Sequence, residues 1–156
     1  MSVLLLLFTL TLQGWCQDFH TLLSLTASSE ETRHLFELPV LTHADGSIQT
    51  LRGVLLTSPV TGPGVLILGA VHGDEIVGSE IIRRFLENTD LMPVKGFAIL
   101  IPVVNHWGFL NRSRYLPDKR DLNRSFPGSG SGSQAARLAG FLSTLIKALK
   151  IDLVLD

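Results

Sequence analysis

The feature that most constrains the fold is an alternation of two apolar patterns after residue 63. Continuous apolar runs at 64–71, 97–104 and 151–155 are typical of strands covered on both faces of a sheet. Between them, residues 75–88 and 133–150 place apolar side chains at helical spacing. Strands that alternate with helices form layered sheets, because each helix crosses the sheet before the next strand begins. The sequence therefore predicts an α/β fold, a sheet flanked by helices.

The residues before this pattern predict an antiparallel addition to the sheet. Residues 35–42 and 48–56 have the composition of strands, and Asp45-Gly46 between them is a turn signal, so 35–56 is a predicted hairpin. Residues 26–33 are polar and predict the start of a helix, with Ser28 or Ser29 as its cap and acidic residues in the first turn. We therefore divide the chain into an N-terminal segment, 1–34, which is helical or signal-like, and a domain at 35–156.

The composition narrows the possible functions. A chain of 156 residues that is 46% hydrophobic can bury a core, and a net charge of -1 offers no basic face to nucleic acid. The apolar run at 3–12 is too short to span a bilayer. It resembles the core of a signal peptide, but no Lys or Arg precedes it. We expect a cytoplasmic protein with no membrane partner, and secretion is the alternative.

Polar side chains follow the ends of the predicted strands. His72 and Glu75 come after the first strand, Asn105 follows the second, and Asp156 ends the third. Because the carboxyl ends of parallel strands meet at one edge of a sheet, we expect these residues to lie close together. An imidazole and a carboxylate three positions apart at such an edge are two of the three ligands of a His/Glu/His zinc site.

The stretch 105–133 is long and polar, has little periodicity, and is predicted to be a functional loop without regular structure. It contains four arginines, and a guanidinium binds a carboxylate through two parallel hydrogen bonds. Several arginines beside a metal predict an anionic substrate. Asp121 would hold one guanidinium in place, and Asn123 would orient a carbonyl or carboxylate. Ser133 is predicted to cap the helix that follows.

Four motifs in order carry a family resemblance: residues 69–75 (GAVHGDE), 102–105 (PVVN), 113–117 (SRYLP) and 121–128 (DLNRSFPG). Over roughly residues 35–156 the sequence resembles the succinylglutamate desuccinylase/aspartoacylase family, a branch of the zinc carboxypeptidase superfamily. The resemblance is specific because HGDE after a strand is followed by DLNRSFPG about fifty residues later. The resemblance implies a mixed sheet flanked by helices, like that of the zinc carboxypeptidases.

The resemblance also implies roles for individual residues. The zinc ligands would be His72 and Glu75. The residues that bind or orient the substrate would be Asn105, Arg114, Asp121, Asn123 and Arg124. Among these, the two arginines would also act in catalysis, by holding the substrate carboxylate and polarising the scissile carbonyl.

Two parts of the family's site have no counterpart in this sequence. The family's third zinc ligand is a His that follows an Asp at the end of a strand, and here the sequence matches that strand through Asp156. The family's general-base Glu lies later still. We therefore expect a fragment of a zinc-dependent deacylase that cleaves the amide of a small anionic N-acyl amino acid. The alternatives are a carboxypeptidase-like peptide amidase and a non-catalytic remnant that binds carboxylates.

Overall fold

The computed structural model describes residues 19–27, 30–43 and 46–156. They form five strands and four helices in the order α1 (Phe19–Thr26), β1 (Thr32–Thr42), β2 (Ile48–Thr57), β3 (Gly64–Leu68), α2 (Val77–Glu87), β4 (Phe97–Ile101), α3 (His106–Asn111), α4 (Gln134–Ala148) and β5 (Leu153–Leu155). None of the helices in the described part of the chain is long and apolar enough to cross a membrane. The apolar run at 3–12, Ser28, Ser29 and Asp45 lie outside the described residues.

The five strands form one mixed sheet in the order β1-β2-β4-β3-β5. β3 pairs in parallel with both β4 and β5, whereas β2 is antiparallel to β1 and to β4. The predicted α/β fold and the predicted hairpin are therefore confirmed. The three parallel strands end at the same edge of the sheet, where the sequence places its polar residues.

Helices cover both faces of the sheet. α1 and α4 pack on one face, where Leu22, Leu138 and Leu142 join the larger core cluster with Phe36 and Leu55. α2 packs on the other face through Ile82, which contacts a smaller cluster. The apolar stripe predicted for α2 is buried only in part, because Ile76, Val77 and Ile81 remain more than half exposed.

Two local predictions are wrong. The helix predicted at 26–33 is absent: α1 ends at Thr26, and β1 begins at Thr32 because Thr32 and Arg33 pair across the sheet with β2. Cross-strand pairing here outweighs the local helix signal. The stretch 105–133 is not free of regular structure, since α3 occupies its beginning. β1 begins three residues before residue 35, which is the predicted start of the domain. The division of the chain into 1–34 and 35–156 stays a prediction.

Candidate active site

Backbone hydrogen bonds join the turns after β3 and β4 at the carboxyl edge of the sheet. The Val104 amide donates to the Gly69 carbonyl and the Asn105 amide donates to the Ala70 carbonyl, both at 2.9 Å. Ala70 has a positive φ of 47°, which non-glycine residues adopt at some cost. These bonds bring the segment that carries His72 beside the segment that carries Asn105, as the strand pattern predicts.

His72 is the central side chain of this edge and is only 6% exposed. Its Nδ1 lies 3.1 Å from Oε1 of Glu75, and its Nε2 lies 3.0 Å from Oδ1 of Asp121. The Glu75 side chain is 65% exposed, so its carboxylate reaches inward to the imidazole from the surface. A carboxylate on each ring nitrogen fixes the orientation of the imidazole.

Asp121 connects His72 to the arginine-rich loop. Its carboxylate also accepts a hydrogen bond from Nε of Arg114 at 2.9 Å and one from the backbone N–H of Asn123 at 2.9 Å. Burial alone raises the pKa of Asp121, but the hydrogen bonds with His72 and Arg114 outweigh it and the pKa is lowered. The same hydrogen bond raises the pKa of Arg114. Asp121 is therefore an anion that holds both the imidazole and a guanidinium.

Gly73 brings the His72 turn into direct contact with α3. A Cβ at this position would lie 1.9 Å from the carbonyl carbon of Gly108 and 2.2 Å from the backbone nitrogen of Phe109. Only a residue without a side chain leaves room for this approach of two backbones. The position of α3 therefore depends on Gly73.

Comparison with known proteins decides the family. The model of the succinylglutamate desuccinylase/aspartoacylase catalytic domain matches residues 61–156. The chain belongs to this family. A deacetylase of N-alpha-acetyl-L-2,4-diaminobutyric acid from Halomonas elongata is 32% identical over 96 residues, which are 61% of this chain and 28% of that protein.

Solved structures of the succinylglutamate desuccinylase/aspartoacylase family share the fold. A protein from Rhodobacter sphaeroides is 30% identical with a TM-score of 0.70, and the match covers 80% of this chain and 39% of that one. An aspartoacylase family protein from Mesorhizobium loti is 29% identical with a TM-score of 0.71, covering 80% and 40%. A carboxypeptidase A-like protein from Shewanella denitrificans has a similar fold at 14% identity and a TM-score of 0.55, covering 86% and 37%. The chain thus spans about 40% of the length of these solved relatives.

The family's motif residues occupy different positions around His72. Asn105 is fully buried, and its side chain accepts from the Gly108 amide at 2.9 Å and donates to the Arg114 carbonyl at 3.3 Å, so it holds α3 and the loop in place. The Arg124 side chain is 82% exposed, with its Nε 3.9 Å from Asp121. Partial burial raises the pKa of Asp156, and the charges of His72 and Glu75 act on it in opposite directions.

The contact between Asp121 and His72 is the part of this site that the motif spacing does not reveal. The two residues are 49 positions apart, and the sequence predicts for Asp121 only a role in holding a guanidinium and in orienting the substrate. Among the described residues, no three His, Cys, Asp or Glu side chains are grouped to hold a metal ion.

Proposed function

We propose that this chain forms part of a zinc-dependent hydrolase that cleaves the amide bond of small anionic N-acyl amino acids. The observation that carries the proposal is the arrangement of His72 between two carboxylates. Glu75 faces one nitrogen of the imidazole and Asp121 faces the other, at the edge of the sheet where the arginine-rich loop converges.

The two side chains proposed as ligands, His72 and Glu75, fit a zinc ion. Ligand atoms about 2.1 Å from a tetrahedral zinc lie about 3.4 Å apart, and His72 Nδ1 and Glu75 Oε1 are 3.1 Å apart. A zinc-bound His typically donates its other N–H to a carboxylate, which is the position of Asp121 on Nε2. When bound, zinc polarises a carbonyl and lowers the pKa of a coordinated water. We infer that a third protein ligand comes from a segment outside the described residues.

The substrate class follows from the charges around His72. Nε of Arg114 donates a hydrogen bond to the Asp121 carboxylate, and another nitrogen of the same guanidinium lies 3.3 Å from Glu75. The exposed guanidinium of Arg124 lies 3.9 Å from Asp121. Two guanidinium groups favour a substrate with a carboxylate next to its scissile amide. Relatives named as an N-acetyl-diaminobutyric acid deacetylase and a probable aspartoacylase support an N-acyl amino acid.

Zinc titration of the 156-residue protein against a competing chelator tests the metal site. We expect weak binding of one zinc ion, because two ligands do not complete a catalytic site. His72→Ala should abolish this binding, whereas His20→Ala, on the exposed surface of α1, should bind zinc as the wild type does. Unchanged zinc binding by His72→Ala would refute the metal assignment.

Binding and hydrolysis of N-acetyl-aspartate test the substrate assignment. By NMR titration of the 156-residue protein, Arg124→Ala should weaken binding, whereas Arg83→Ala on α2 should not. In a form of the protein that carries a third ligand, Arg124→Ala should lower kcat/KM by about 100-fold, the cost typical of losing one donor to a developing oxyanion. Equal effects of the two variants would contradict the role proposed for Arg124.

A further inference from the structure

Arg114 and Asp121, which are hydrogen-bonded to each other at the candidate site, are the two ends of one short loop. Nε of Arg114 donates to the Asp121 carboxylate at 2.9 Å. Between these ends the backbone closes a second time, since the Leu116 amide donates to the Arg120 carbonyl at 3.1 Å. Residues 114–121 therefore form a closed loop, and the position of its tip bears on both ends.

Asp118 joins the tip of this loop to the N-terminus of α4. Its Oδ2 accepts a hydrogen bond from the Ala135 amide at 3.0 Å, and its Oδ1 accepts one from the Arg120 amide at 3.2 Å. Ala135 is fully buried in the first turn of α4, where an unpaired amide is costly and a negative charge is favoured. The carboxylate therefore satisfies the helix and orders the loop at the same time.

The second contact of the loop tip is with α3. Nζ of Lys119 lies 5.7 Å from the centre of the Trp107 ring. Lys119 is exposed, and the attraction between a cation and a ring is weak at exposed sites, whereas Asp118 is partly buried and its bond is charge-assisted. Asp118 is therefore the stronger of the two contacts.

Ser133 caps the same helix but makes no such connection in the part of the chain that the structure describes. Its side chain accepts from the Ala136 amide at 3.1 Å, and its carbonyl accepts from the Arg137 amide at 3.0 Å, so both bonds stay within α4. Asp118 reaches the helix from 17 positions earlier. Two acceptors thus cap α4, and one of them also fixes the loop that carries Arg114.

We propose that Asp118 is a positioning residue of the hydrolase site. Its bond to α4 holds the loop so that Arg114 and Asp121 face His72. The proposal rests on the proposed function, in which Arg114 binds the substrate carboxylate and Asp121 orients His72. Asp118 contacts neither of these groups through its side chain and acts through the loop backbone. Without its bond, substrate binding would also have to order the loop, and that cost lowers affinity.

Hydrogen exchange at Nε of Arg114, followed by NMR in the metal-free 156-residue protein, measures the positioning without any substrate. In Asp118→Ala we expect this N–H to exchange about 3- to 10-fold faster, as the loss of one hydrogen bond from a locally opening segment predicts. Ser133→Ala also removes a cap bond of α4 and should lower the melting temperature by a similar amount, about 2–4 °C. It should leave the exchange at Arg114 unchanged.

Asp118→Asn keeps one acceptor oxygen, so its exchange rate at Arg114 should lie between those of the wild type and Asp118→Ala. If Asp118→Ala does not fold, the comparison is made with Asp118→Asn, which must still exchange faster than Ser133→Ala. Equal acceleration in the Asp118 and Ser133 variants would show that exchange follows overall stability. That result, or no acceleration in the Asp118 variants, would refute the positioning role.

Binding of N-acetyl-aspartate, measured by NMR titration, connects the loop to the substrate. Asp118→Ala should weaken binding by about 3- to 10-fold, the same loss expressed in affinity, whereas Ser133→Ala should bind as the wild type does. Unchanged affinity in Asp118→Ala would overturn the proposal. If the wild type itself does not bind N-acetyl-aspartate, the proposed substrate is wrong, and faster exchange at Arg114 in Asp118→Ala alone would still support the positioning role.

Discussion

Replacement of Gly73 by alanine tests how closely the candidate site is packed against α3. The added Cβ would lie 1.9 Å from the Gly108 carbonyl carbon, whereas carbon atoms in contact are about 3.5–4.0 Å apart. The two backbones would have to separate by about 1.5 Å or more, on the same contact distances. Neither backbone is free to yield, because α3 is held by the Asn105 cap and the turn is held by its bonds to the β4 segment.

The cost of Gly73→Ala should lie at the upper end of that for inserting a methyl group into a packed site, about 3 kcal/mol. For a protein of this size, each kcal/mol shifts the melting temperature by about 2–4 °C, so we expect a decrease of roughly 6–12 °C. Circular dichroism melts and urea titrations of the 156-residue protein measure both quantities.

Gly78→Ala is the matched control, since the same methyl group is added five residues away. There the Cβ would lie 3.6 Å from the nearest atom, an ordinary contact, and the position is inside α2. Alanine is favoured over glycine in a helix by about 0.5–1 kcal/mol, so this variant should melt slightly above the wild type. If Gly73→Ala is as stable as the wild type, or if both variants shift in the same direction, the packing argument is wrong.

Three further predictions concern the metal site, acid stability and a helix cap. Asp121→Asn should lower zinc affinity by about 10- to 100-fold, measured against a chelator, because His72 loses the carboxylate that orients it; unchanged affinity would contradict this. Hydrogen bonds from Arg83 and Arg84 lower the pKa of Glu80 from 4.5 to about 2, so the stability from these pairs is present above pH 4.5 and is lost as the pH falls towards 2. Urea midpoints of Glu80→Gln should accordingly depend less on pH across that window, and a wild-type slope would refute the assignment. Ser133→Ala removes the N-cap bond of α4 and should lower the free energy of unfolding by about 1 kcal/mol in urea, whereas no change would show that the cap contributes nothing.

The elements that the sequence predicts well are those whose signal is local. The apolar runs of β3 and β4 and the helical stripe of α4 with its Ser133 cap each lie within one short window. The sequence predicts a helix at 26–33 where β1 begins, because the strand depends on partners in β2, which are 25 residues away for Thr32 and Thr57. Such pairing leaves no periodic trace in the segment itself.

α3 escaped prediction for a related reason. It has only six residues, too few for a helical stripe, and it depends on the Asn105 cap and on the space left by Gly73. Around the site, the contact of His72 with Glu75 follows from their spacing of three positions. The contact of His72 with Asp121 joins two segments that meet only once the sheet and the loop have formed.

The position of β3 in the sheet also bears on how the protein is synthesised. β3 lies between β4 and β5, and its residue Val65 pairs with Leu153 of β5. During translation, one edge of β3 therefore stays unpaired until residues 88 positions later have been synthesised. The same holds for the Gly64 amide, which donates to Asp152. Parallel pairings at such separations close slowly, and a bare strand edge recruits other chains in the meantime. The yield of folded protein should therefore depend on how well the nascent chain is shielded during this interval.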